Sequence, residues 1–442
     1  MFSKILIANR GEIAVRIIRA CKEMGVESVA VFSEADREAL HVSLADESYC
    51  VGGALPKDSY LHINNIITTA LLSKAEAIHP GYGFLSENAR FAALCEEHGI
   101  AFIGPDARVI SAMGDKDAAR KTMRDAGVTV IPGSELLADA EQAKAEAEKI
   151  GFPVLIKARA GGGGKGIRLV TEPENLERQF QAASREAVQS FGDGGLYLEK
   201  YLKPVKHIET QILADQNGRM VCLGERDCSV QRKKQKLLEE SPAVFLSDAQ
   251  RQRMIEASFK AAAAVRYCGA GTVEYLVDQS GNFYFMEMNT RLQVEHPVTE
   301  MRSGVDLVKW QIRIASGMPL DFTQEDVVLS GHAMECRINA ENPHQDFRPS
   351  SGKIHMLHVP GGPWVRFDTA IYHGYTIPHF YDSMIGKLIV SAKTRDEAVR
   401  KMKAALCELT IEGVEHTAEY QMEILERKEF KDGVYTADLL ER

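Results

Sequence analysis

Short apolar runs and amphipathic stretches alternate along the first eighty residues of the chain. The runs from Lys4 to Ala8 and from Ser28 to Phe32 are typical of buried strands. Between them, Glu12 to Met24 repeats its apolar positions at helical spacing, and Gly25 is placed to end that helix. Ala75 to Ile78 adds a further strand. This pattern predicts a parallel sheet covered by helices.

The pattern continues along the rest of the chain with helices and strands of ordinary length. We expect Ser86 to cap a helix that ends at Gly99, and a helical pattern to resume around residues 111–116. Ala138 to Lys149, rich in alanine and charge, predicts another helix. The remaining predicted elements are strands at Pro153 to Ala158, Ile167 to Val170, Leu196 to Leu202, Ile208 to Leu213 and Glu335 to Glu341, a helix from Asp248 to Tyr267, and a strand followed by a helix within Leu388 to Leu409.

The clearest strand pattern lies between Gly271 and Pro297. Two segments rich in β-branched and aromatic residues, Thr272 to Val277 and Asn282 to Met288, flank the turn formers of residues 278–281 and predict a β-hairpin. Polar and apolar residues then alternate beyond the hairpin, so an extended chain would present one polar face. The polar residues of that face are Glu287, Asn289, Arg291, Gln293 and Glu295.

The length of the hairpin turn decides where Glu274 points. With a turn of two or four residues, Glu274 faces Phe285 and lies diagonal to Glu287, whereas a three-residue turn would direct it to the opposite face. The even turn brings Glu274, Glu287 and Asn289 together at spacings of roughly 7 Å. Such oxygen ligands suit Mg²⁺ that carries a nucleotide. The alternative interpretation is a solvated strand face with ordinary alternation of charge.

Composition excludes several classes of protein. The 442 residues carry a net charge of −9 and show no basic excess that would indicate a nucleic-acid partner. No apolar run approaches the roughly 18 residues of a membrane span, and the run after Lys4 is too short for an export signal. The eight cysteines form no CxxC pair and no Cys/His metal spacing, which favours reduced thiols in a cytosolic protein. The length is typical of about three domains.

A run of glycines lies between two of the predicted strands. Gly161, Gly163 and Gly166 match G-x-G-x-x-G, but a dinucleotide-binding turn must lead into a helix, and this one leads into a strand. The run also lacks the lysine that follows the last glycine of a Walker A loop, because Ile167 stands there. With Lys157 on the entering strand, we expect a mobile hairpin whose amides lie over phosphates. A plain flexible hairpin is the alternative.

Basic residues concentrate in one short stretch of an otherwise acidic protein. Residues 231–236 read QRKKQK, without the interleaved aromatic residues of a nucleic-acid patch. A pocket for a triphosphate and a small anion fits this cluster better than a solvated face does. Arg337, on a later predicted strand, is a fixed charge that could reach the same pocket.

Together these segments resemble one known family over nearly the whole chain. The motifs that carry the resemblance, in order and spacing, are IANRGEIA, HPGYGFLSEN, MGDK, the glycine run, ERDCSVQRKKQK, MEMNTRLQVEHPVTE, ECRINAE and YDSMIGKL. They are similar to those of the biotin carboxylase component of biotin-dependent carboxylases. This component is an ATP-grasp enzyme. The resemblance implies an architecture of α/β and α+β domains: a Rossmann-like N-terminal domain over residues 1–112, an ATP-grasp domain over 113–330 with a mobile glycine-rich lid at about 130–203, and a mixed α/β C-terminal domain over 331–442.

The resemblance also implies a reaction and its partners. ATP and bicarbonate form carboxyphosphate, which breaks down to CO₂ and phosphate as N1′ of biotin is carboxylated, with Mg²⁺ or Mn²⁺ as the metal. Biotin is expected on a separate carrier protein, because Met402 and Lys403 are followed by Ala404 rather than by the second Met of an attachment site. Further implications are a carboxyltransferase component, a homodimer, a cytoplasmic location, and a role in a carboxylase such as the acetyl-CoA carboxylase of fatty acid biosynthesis.

Site residues are implied position by position. The phosphate-binding residues are Lys116, Lys157, Gly161, Gly162, Gly163, Gly164 and Gly166. The nucleoside pocket consists of Glu199, Lys200, Tyr201, Leu202 and His207, and Gln231 and Lys234 also face ATP. The metal ligands, of which the two glutamates also contact ATP, are Glu274, Glu287 and Asn289. The bicarbonate site consists of Lys236, Arg291, Gln293 and the amide of Val294, with Glu295 as the base; Arg337 holds the biotin enolate, and Tyr82 lies near its ureido ring.

A few positions depart from the family pattern. Lys234 stands where many relatives have His, and the other departures are Arg159, Ala160, Ser351 and His379. They are expected to tune the lid or the loops, and none removes a catalytic group.

Two rival functions stay open. Another ATP-grasp ligase would have no reason for the residues from Arg291 to Glu295 together with Arg337, and a non-catalytic ATP sensor would bind nucleotide without turnover.

Overall fold

The structure is a computed structural model that describes residues 1–159 and 166–441. A sheet of parallel strands forms its N-terminal part. The strands run in the order β3-β2-β1-β4-β5, and each pairing is parallel, so the predicted covered parallel sheet is confirmed. In chain order the elements are β1 (Lys4–Ile7), α1 (Gly11–Met24), β2 (Glu27–Ser33), α2 (Leu40–Leu44), β3 (Glu47–Gly52), α3 (Ile63–Ser73), β4 (Ala77–His79), α4 (Ala89–Glu97) and β5 (Ala101–Phe102).

Helix ends in this region follow local chemistry. Gly25 has a φ of 71° and ends α1 as predicted, since the left-handed conformation suits glycine. The predicted cap of α4 is wrong, because the side chain of Asn88, not Ser86, accepts the amide of Phe91 at 2.9 Å. Asn and Ser are comparable caps by residue type, so the sequence alone does not separate them.

A small antiparallel sheet with the order β7-β6-β8 follows. Lys157 on β6 lies between Ile167 on β7 and Tyr197 on β8. Of the predicted phosphate-binding glycines, Gly166 is described, whereas Gly161 to Gly164 lie outside the described residues. The elements of this part are α5 (Ala107–Gly114), α6 (Lys116–Asp125), α7 (Ala140–Ile150), β6 (Val154–Ala158), β7 (Ile167–Val170), α8 (Leu176–Phe191) and β8 (Leu196–Lys200).

The largest sheet is antiparallel and, over the described part of the chain, has the order β13-β12-β9-β10-β11-β14-β21-β19, in which the last three strands are β14 (His332–Asn339), β21 (Met384–Ala392) and β19 (Val365–Thr369). It continues across residue 330, because Glu239 on β11 lies opposite Glu335 on β14. Its first elements, with the helices that pack beside them, are β9 (Lys206–Ala214), β10 (Met220–Arg232), β11 (Gln235–Ser241), α9 (Asp248–Ala264), β12 (Gly269–Val277), β13 (Phe283–Asn289), α10 (His296–Ser303) and α11 (Leu307–Ala315).

The C-terminal part completes this sheet and adds short two-stranded ladders. Within residues 1–159 and 166–441, no helix combines the length and the apolar character needed to cross a bilayer. The C-terminal elements are β14 (His332–Asn339), β15 (Glu341–Asn342), β16 (Arg348–Pro349), β17 (Gly352–Lys353), β18 (Met356–His358), β19 (Val365–Thr369), β20 (Thr376–Ile377), β21 (Met384–Ala392), α12 (Arg395–Glu408), β22 (Thr410–Glu412), α13 (Ala418–Glu426) and α14 (Lys428–Lys431).

The β12–β13 hairpin has a register other than the predicted one. Val277 pairs with Phe283, so the turn holds five residues rather than two or four. An odd turn alone would direct Glu274 to the wrong face. A bulge at Met286 adds one residue to β13 and so returns the side chains of Glu274 and Glu287 to the same face of the sheet. Glu274 then lies directly opposite Glu287 instead of diagonal to it. The predicted proximity of the two carboxylates therefore arises from a bulge that the sequence pattern does not reveal.

The predicted extension of the strand beyond Asn289 is also wrong. β13 ends at Asn289, and α10 begins at His296 with Pro297 in its first turn. Proline has no amide to donate to a sheet and suits the start of a helix, so the chain leaves the sheet before it. The polar residues of 291–295 therefore approach the site from a loop and a helix start rather than from one strand face.

A buried carboxylate ties the large sheet to the C-terminal helices. Glu240 on β11 is fully buried and accepts hydrogen bonds from His332 at 2.6 Å, from Arg395 at 2.8 Å and from the hydroxyl of Tyr435 at 2.5 Å. Burial alone would raise the pKa of Glu240, but His332 and Arg395 lower it to about 2. The ionised form is therefore strongly favoured in the folded protein.

We predict that Glu240→Gln destabilises the protein at neutral pH. Because the folded pKa lies below the ordinary value of 4.5, the stabilisation is fully present above pH 4.5 and is lost as the pH falls towards 2. A shift of this size corresponds to about 3 kcal/mol at pH 7. The difference in unfolding free energy between wild type and variant, measured by denaturant titration at several pH values, should shrink over that range.

Glu426 provides the matched control for this prediction. Hydrogen bonds from Lys403 and Lys431 lower its pKa to about 2 as well, but the Glu426 side chain is 54% exposed. Solvent screening should make Glu426→Gln nearly neutral. A stability difference for Glu240→Gln that is the same at pH 7 and pH 2.5 would contradict the proposed role of its charge.

Candidate active site

One cavity of about 760 Å³ is bounded by the small sheet and the large one. Its lining brings together most of the residues that the sequence predicts for the site. These are Lys116, Lys157, Glu199, Lys200, Tyr201, Leu202, His207, Gln231, Lys234, Lys236, Glu274, Glu287, Asn289, Arg291, Gln293, Val294, Glu295 and Arg337. Among the described residues of the predicted site, Gly166 and Tyr82 are not part of the lining.

Two carboxylates face each other on one wall of this cavity. Glu274 is held by His207 at 2.8 Å and by the side-chain amide of Asn289 at 2.9 Å. Burial works to raise the pKa of Glu274, but Lys236 and His207 hold it well below its usual range. The pKa of Glu287 is raised, first by burial and then by the charge of Glu274. A divalent cation would relieve this repulsion, and with the amide oxygen of Asn289 the donor set fits Mg²⁺ or Mn²⁺.

Another part of the cavity lining, called here the lysine wall, is formed by Lys116, Lys157 and Lys234. Lys234 lies in the two-residue turn between β10 and β11, where it and Lys233 have φ of 68° and 48°. Burial and the charges of Lys157 and Lys116 lower the pKa of Lys234. Like charges brought together at a cavity destabilise the free protein and favour an anionic ligand. The three ammonium groups therefore suit a polyphosphate.

The small sheet supplies a further set of contacts on this side. Glu199 on β8 forms ion pairs with Lys157 and, at 3.3 Å, with Arg120. The ammonium of Lys200 is turned towards the backbone, donating to the carbonyls of Gly151 at 2.8 Å and Phe152 at 2.9 Å. Lys200 therefore lines the cavity without a free charge directed into it. Arg120 was missed from the sequence, because nothing in its helical segment distinguishes it from an exposed arginine.

Lys236 is the centre of a buried ionic cluster. Its ammonium lies 2.6 Å from Glu209, 3.0 Å from Glu274 and 2.7 Å from Glu295. The same Glu209 carboxylate accepts Arg226 at 2.6 Å, and Arg226 is fully buried. Burial opposes the charge of Lys236, but the surrounding acidic groups raise its pKa well above the usual value. Sequence reasoning missed Glu209 and Arg226, because each lies among other polar residues of β9 and β10, and only the structure shows that both are buried.

Glu295 stands between two cations. Its carboxylate accepts Lys236 at 2.7 Å and Arg337 at 2.9 Å, and Arg337 also contacts Glu239 at 2.6 Å. Burial would raise the pKa of Glu295, yet Lys236, Arg337 and Arg226 hold it well below its usual range. The group is therefore ionised in the free protein. An ionised carboxylate beside two cations is an arrangement that can accept a proton from an anion bound to those cations.

The remaining polar residues of the loop are fixed by their neighbours. Arg291 donates its Nε to Glu87 at 3.0 Å and one terminal nitrogen to Asn289 at 3.0 Å. Gln293 donates to Glu274 at 2.6 Å and accepts from Arg226 at 2.9 Å. These bonds hold the loop against the carboxylate wall and leave it facing the cavity.

Tyr82 occupies a different position from the other predicted residues. Its hydroxyl donates to the carboxylate of Glu12, at the start of α1. Burial and the charge of Glu12 raise the pKa of Tyr82 well above its usual value, and Arg337 is near enough to lower it slightly. The tyrosine is therefore neutral, is close enough to Arg337 to feel its charge, and does not line the cavity.

Comparisons with known proteins agree with this geometry. Three family models match successive parts of the chain: the biotin carboxylase N-terminal domain over residues 1–110, the ATP-binding domain of the carbamoyl-phosphate synthase L chain over 115–323, and the biotin carboxylase C-terminal domain over 335–442. Biotin carboxylase 1 of Bacillus subtilis is 55% identical over 443 residues, covering 100% of this chain and 98% of its own. The biotin carboxylase of Nostoc is 56% identical, covering 98% and 97%.

Solved structures are similar over the whole chain. The biotin carboxylase of Campylobacter jejuni, in a complex with β-γ-ATP, superposes with a TM-score of 0.96 at 49% identity, covering 100% of this chain and 99% of its own. The biotin carboxylase domain dimer of the Hydrogenobacter thermophilus 2-oxoglutarate carboxylase, in complex with MgADP, ADP and bicarbonate, gives a TM-score of 0.94 at 52% identity, covering 100% and 97%. The fold is therefore the ATP-grasp architecture of these enzymes, and the chain belongs to the biotin carboxylase family.

Proposed function

We propose that the chain uses ATP and bicarbonate to carboxylate biotin, the first half-reaction of a biotin-dependent carboxylase. The observation that carries the proposal is the single cavity that joins a lysine wall, a carboxylate pair and the ionised Glu295 between two cations. Such a site has the parts needed to bind a triphosphate, hold a divalent cation and deprotonate a small anion. The relatives with the same fold are biotin carboxylases, and one is bound to MgADP and bicarbonate.

The nucleotide lies against the small sheet. Lys116, Lys157 and Lys234 hold the phosphates, together with the glycine run that includes Gly161, Gly162, Gly163, Gly164 and Gly166. Glu199, Lys200, Tyr201, Leu202, His207 and Gln231 surround the nucleoside. The Lys157–Glu199 ion pair of the free protein is exchanged for a contact with phosphate, which leaves Glu199 paired with Arg120.

Glu274, Glu287 and Asn289 hold the metal ion. When bound, Mg²⁺ or Mn²⁺ neutralises phosphate charge and favours displacement at the γ-phosphate. Glu287 has the raised pKa of the pair, so the cation lowers that pKa and fixes the ionised form.

Bicarbonate binds at the loop that joins β13 to α10. Lys236, Arg291, Gln293 and the amide of Val294 hold it, and Glu295 takes its proton. In the free protein Glu295 is a weak base, because two cations lower its pKa. An anion bound to those same cations offsets their charge and raises the pKa of Glu295, so the base gains strength only when its substrate is present.

The deprotonated bicarbonate attacks the γ-phosphate and expels ADP, which gives carboxyphosphate. Carboxyphosphate breaks down to CO₂ and phosphate, the phosphate takes the N1′ proton of biotin, and N1′ then attacks CO₂. Arg337 holds the biotin enolate while its other side is kept in place by Glu239. Tyr82, whose hydroxyl is used by Glu12, contributes its ring to the ureido side rather than a hydrogen bond. The biotin arrives on a separate carrier protein.

The wider assembly follows from this role. The proposed domains are residues 1–112, 113–330 with a lid at about 130–203, and 331–442. A biotin carboxyl carrier protein, a carboxyltransferase component and a second copy of the chain are the partners, in the cytoplasm. Related chains serve different acceptors, since two relatives at 52% identity belong to a 2-oxoglutarate carboxylase and to a pyruvate carboxylase. For this chain we propose a biotin-dependent carboxylase such as acetyl-CoA carboxylase, with the acceptor left open.

We predict that Glu295→Gln reduces free-biotin carboxylation by about 10²- to 10⁴-fold. The amide keeps the size of the side chain but cannot accept the bicarbonate proton. ATP affinity should stay near that of wild type, because Glu295 lies on the bicarbonate side of the cavity. Steady-state carboxylation, nucleotide titration and the unfolding midpoint, measured on one preparation, check this.

Glu239→Gln is the matched control, since it removes the other carboxylate from Arg337 without changing the cavity lining. It should keep carboxylation within about tenfold of wild type, as a lost positioning contact costs less than a lost base. Carboxylation by Glu295→Gln within threefold of wild type would exclude the base role. A parallel loss of ATP affinity and stability would instead make Glu295 a structural ion-pair partner.

We predict that Glu287→Gln raises the Mg²⁺ concentration needed for ATP turnover. Removing an anionic ligand weakens the metal site and misplaces the γ-phosphate. Added Mg²⁺ should rescue turnover in part, whereas Asp278→Asn, on the exposed turn of the same hairpin, should not change the Mg²⁺ requirement. A Glu287→Gln activation curve that overlies the wild-type curve would show that the carboxylate pair is not the metal site.

A further inference from the structure

A buried lysine from the C-terminal motif YDSMIGKL contacts the loop of residues 290–295, between β13 and α10, which we call the bicarbonate loop. Lys387 on β21 has no solvent exposure. Its ammonium donates to the carbonyl of Val294 at 2.7 Å and forms an ion pair with Glu12 at 3.1 Å. One side chain thus joins the first turn of α1, the C-terminal sheet and the loop between β13 and α10.

The sheet register explains why Lys387 reaches this loop. Arg337, Lys387 and Asp368 lie directly opposite one another on β14, β21 and β19, so their side chains leave the same face. Arg337 extends to the carboxylate of Glu295, and Lys387 extends to the carbonyl of the preceding residue. Two adjacent cations of one row therefore hold two consecutive residues of the bicarbonate loop.

The charge of Lys387 is maintained at a cost. Burial works to lower its pKa, but Glu12, Glu335 and Asp368 outweigh this and raise it, with Arg366 opposing them. A buried ion pair contributes little net stability compared with apolar residues of similar size. Stability therefore does not explain why a charged side chain occupies this buried position, whereas its hydrogen bond to Val294 does.

We propose that Lys387 is a positioning residue that fixes the carbonyl of Val294 and so holds the backbone between the bicarbonate-binding amide of Val294 and the base Glu295. The inference rests on the proposed function of this site. Without the ammonium, the Val294 carbonyl loses its buried donor and the peptide is free to turn. A displacement of about 1 Å at such a position is enough to cost about 10²-fold in rate.

Glu12 has a separate role in this arrangement. Its carboxylate accepts both the hydroxyl of Tyr82 and the ammonium of Lys387, and neither of these two bonds reaches the loop. It balances the charge of the lysine, whereas the hydrogen bond to Val294 comes from Lys387 itself. The two functions can be separated by substitution.

Lys387→Met tests the proposal. Methionine fills a similar volume without a donor or a charge. In ATP hydrolysis with free biotin we therefore expect the KM for bicarbonate to rise about tenfold or more and kcat/KM for bicarbonate to fall about 10²-fold. The KM for ATP should stay within about threefold, because the lysine wall is untouched. A structural defect alone would lower both kcat and folded fraction without this selective change.

The double variant Glu12→Gln/Lys387→Met separates positioning from charge balance. Removing both partners of a buried pair avoids an unpaired charge, so the unfolding midpoint should recover relative to Lys387→Met. The bicarbonate KM should stay raised. Glu12→Gln alone keeps the donor to Val294 and should leave the bicarbonate KM within about threefold of wild type.

Two results would overturn the inference, and a third would refute the proposed function on which it rests. A folded Lys387→Met protein with a bicarbonate KM within threefold of wild type overturns the inference, and so does a double variant that regains the wild-type bicarbonate KM with its stability. If Lys387→Met does not fold, the double variant decides alone. A wild-type protein whose ATP hydrolysis ignores bicarbonate would instead refute the proposed function, which the same assay reports separately.

Discussion

The ammonium of Lys236 holds together the part of the molecule on which the site depends. It contacts Glu209 on β9, Glu274 on β12 and Glu295 at the start of α10, all three of which are nearly or fully buried. Carboxylates cannot be buried at such a density without cations, because an isolated buried charge costs several kcal/mol. The cluster therefore fixes three segments of the chain relative to one another before any substrate binds.

The same cluster gives the site its chemical character. In the proposed reaction, bicarbonate binds to the cations that keep Glu295 ionised, so its binding would weaken their effect on the pKa of that base. Elsewhere in the cavity, the charges of Lys157 and Lys116 lower the pKa of Lys234, so this group of lysines carries an unfavourable electrostatic interaction in the unliganded protein. In the proposed reaction a bound polyphosphate would offset that repulsion.

Hydrophobic period and turn chemistry identified most of the elements, because both are local. Most of the cavity lining was instead implied by the resemblance to a known family. Sequence reasoning failed where position depends on a non-local detail. The bulge at Met286, which sets Glu274 opposite Glu287, has no signature in residue type. Pro297, in contrast, could have shown that the strand does not reach Glu295. The buried pair of Arg226 and Glu209 could not be found from residue type, because β9 and β10 carry other polar residues and the pairing depends on the sheet register.

The central claim is that bicarbonate, activated by Glu295, attacks the γ-phosphate of ATP. This step leaves one bicarbonate oxygen bonded to phosphorus after the carboxyphosphate breaks down. The most direct measurement is ATP hydrolysis by the purified chain with ¹⁸O-labelled bicarbonate and free biotin, followed by mass analysis of the released phosphate. The account predicts one labelled oxygen in each phosphate. Phosphate that takes its new oxygen from water, at a rate independent of bicarbonate, would contradict it.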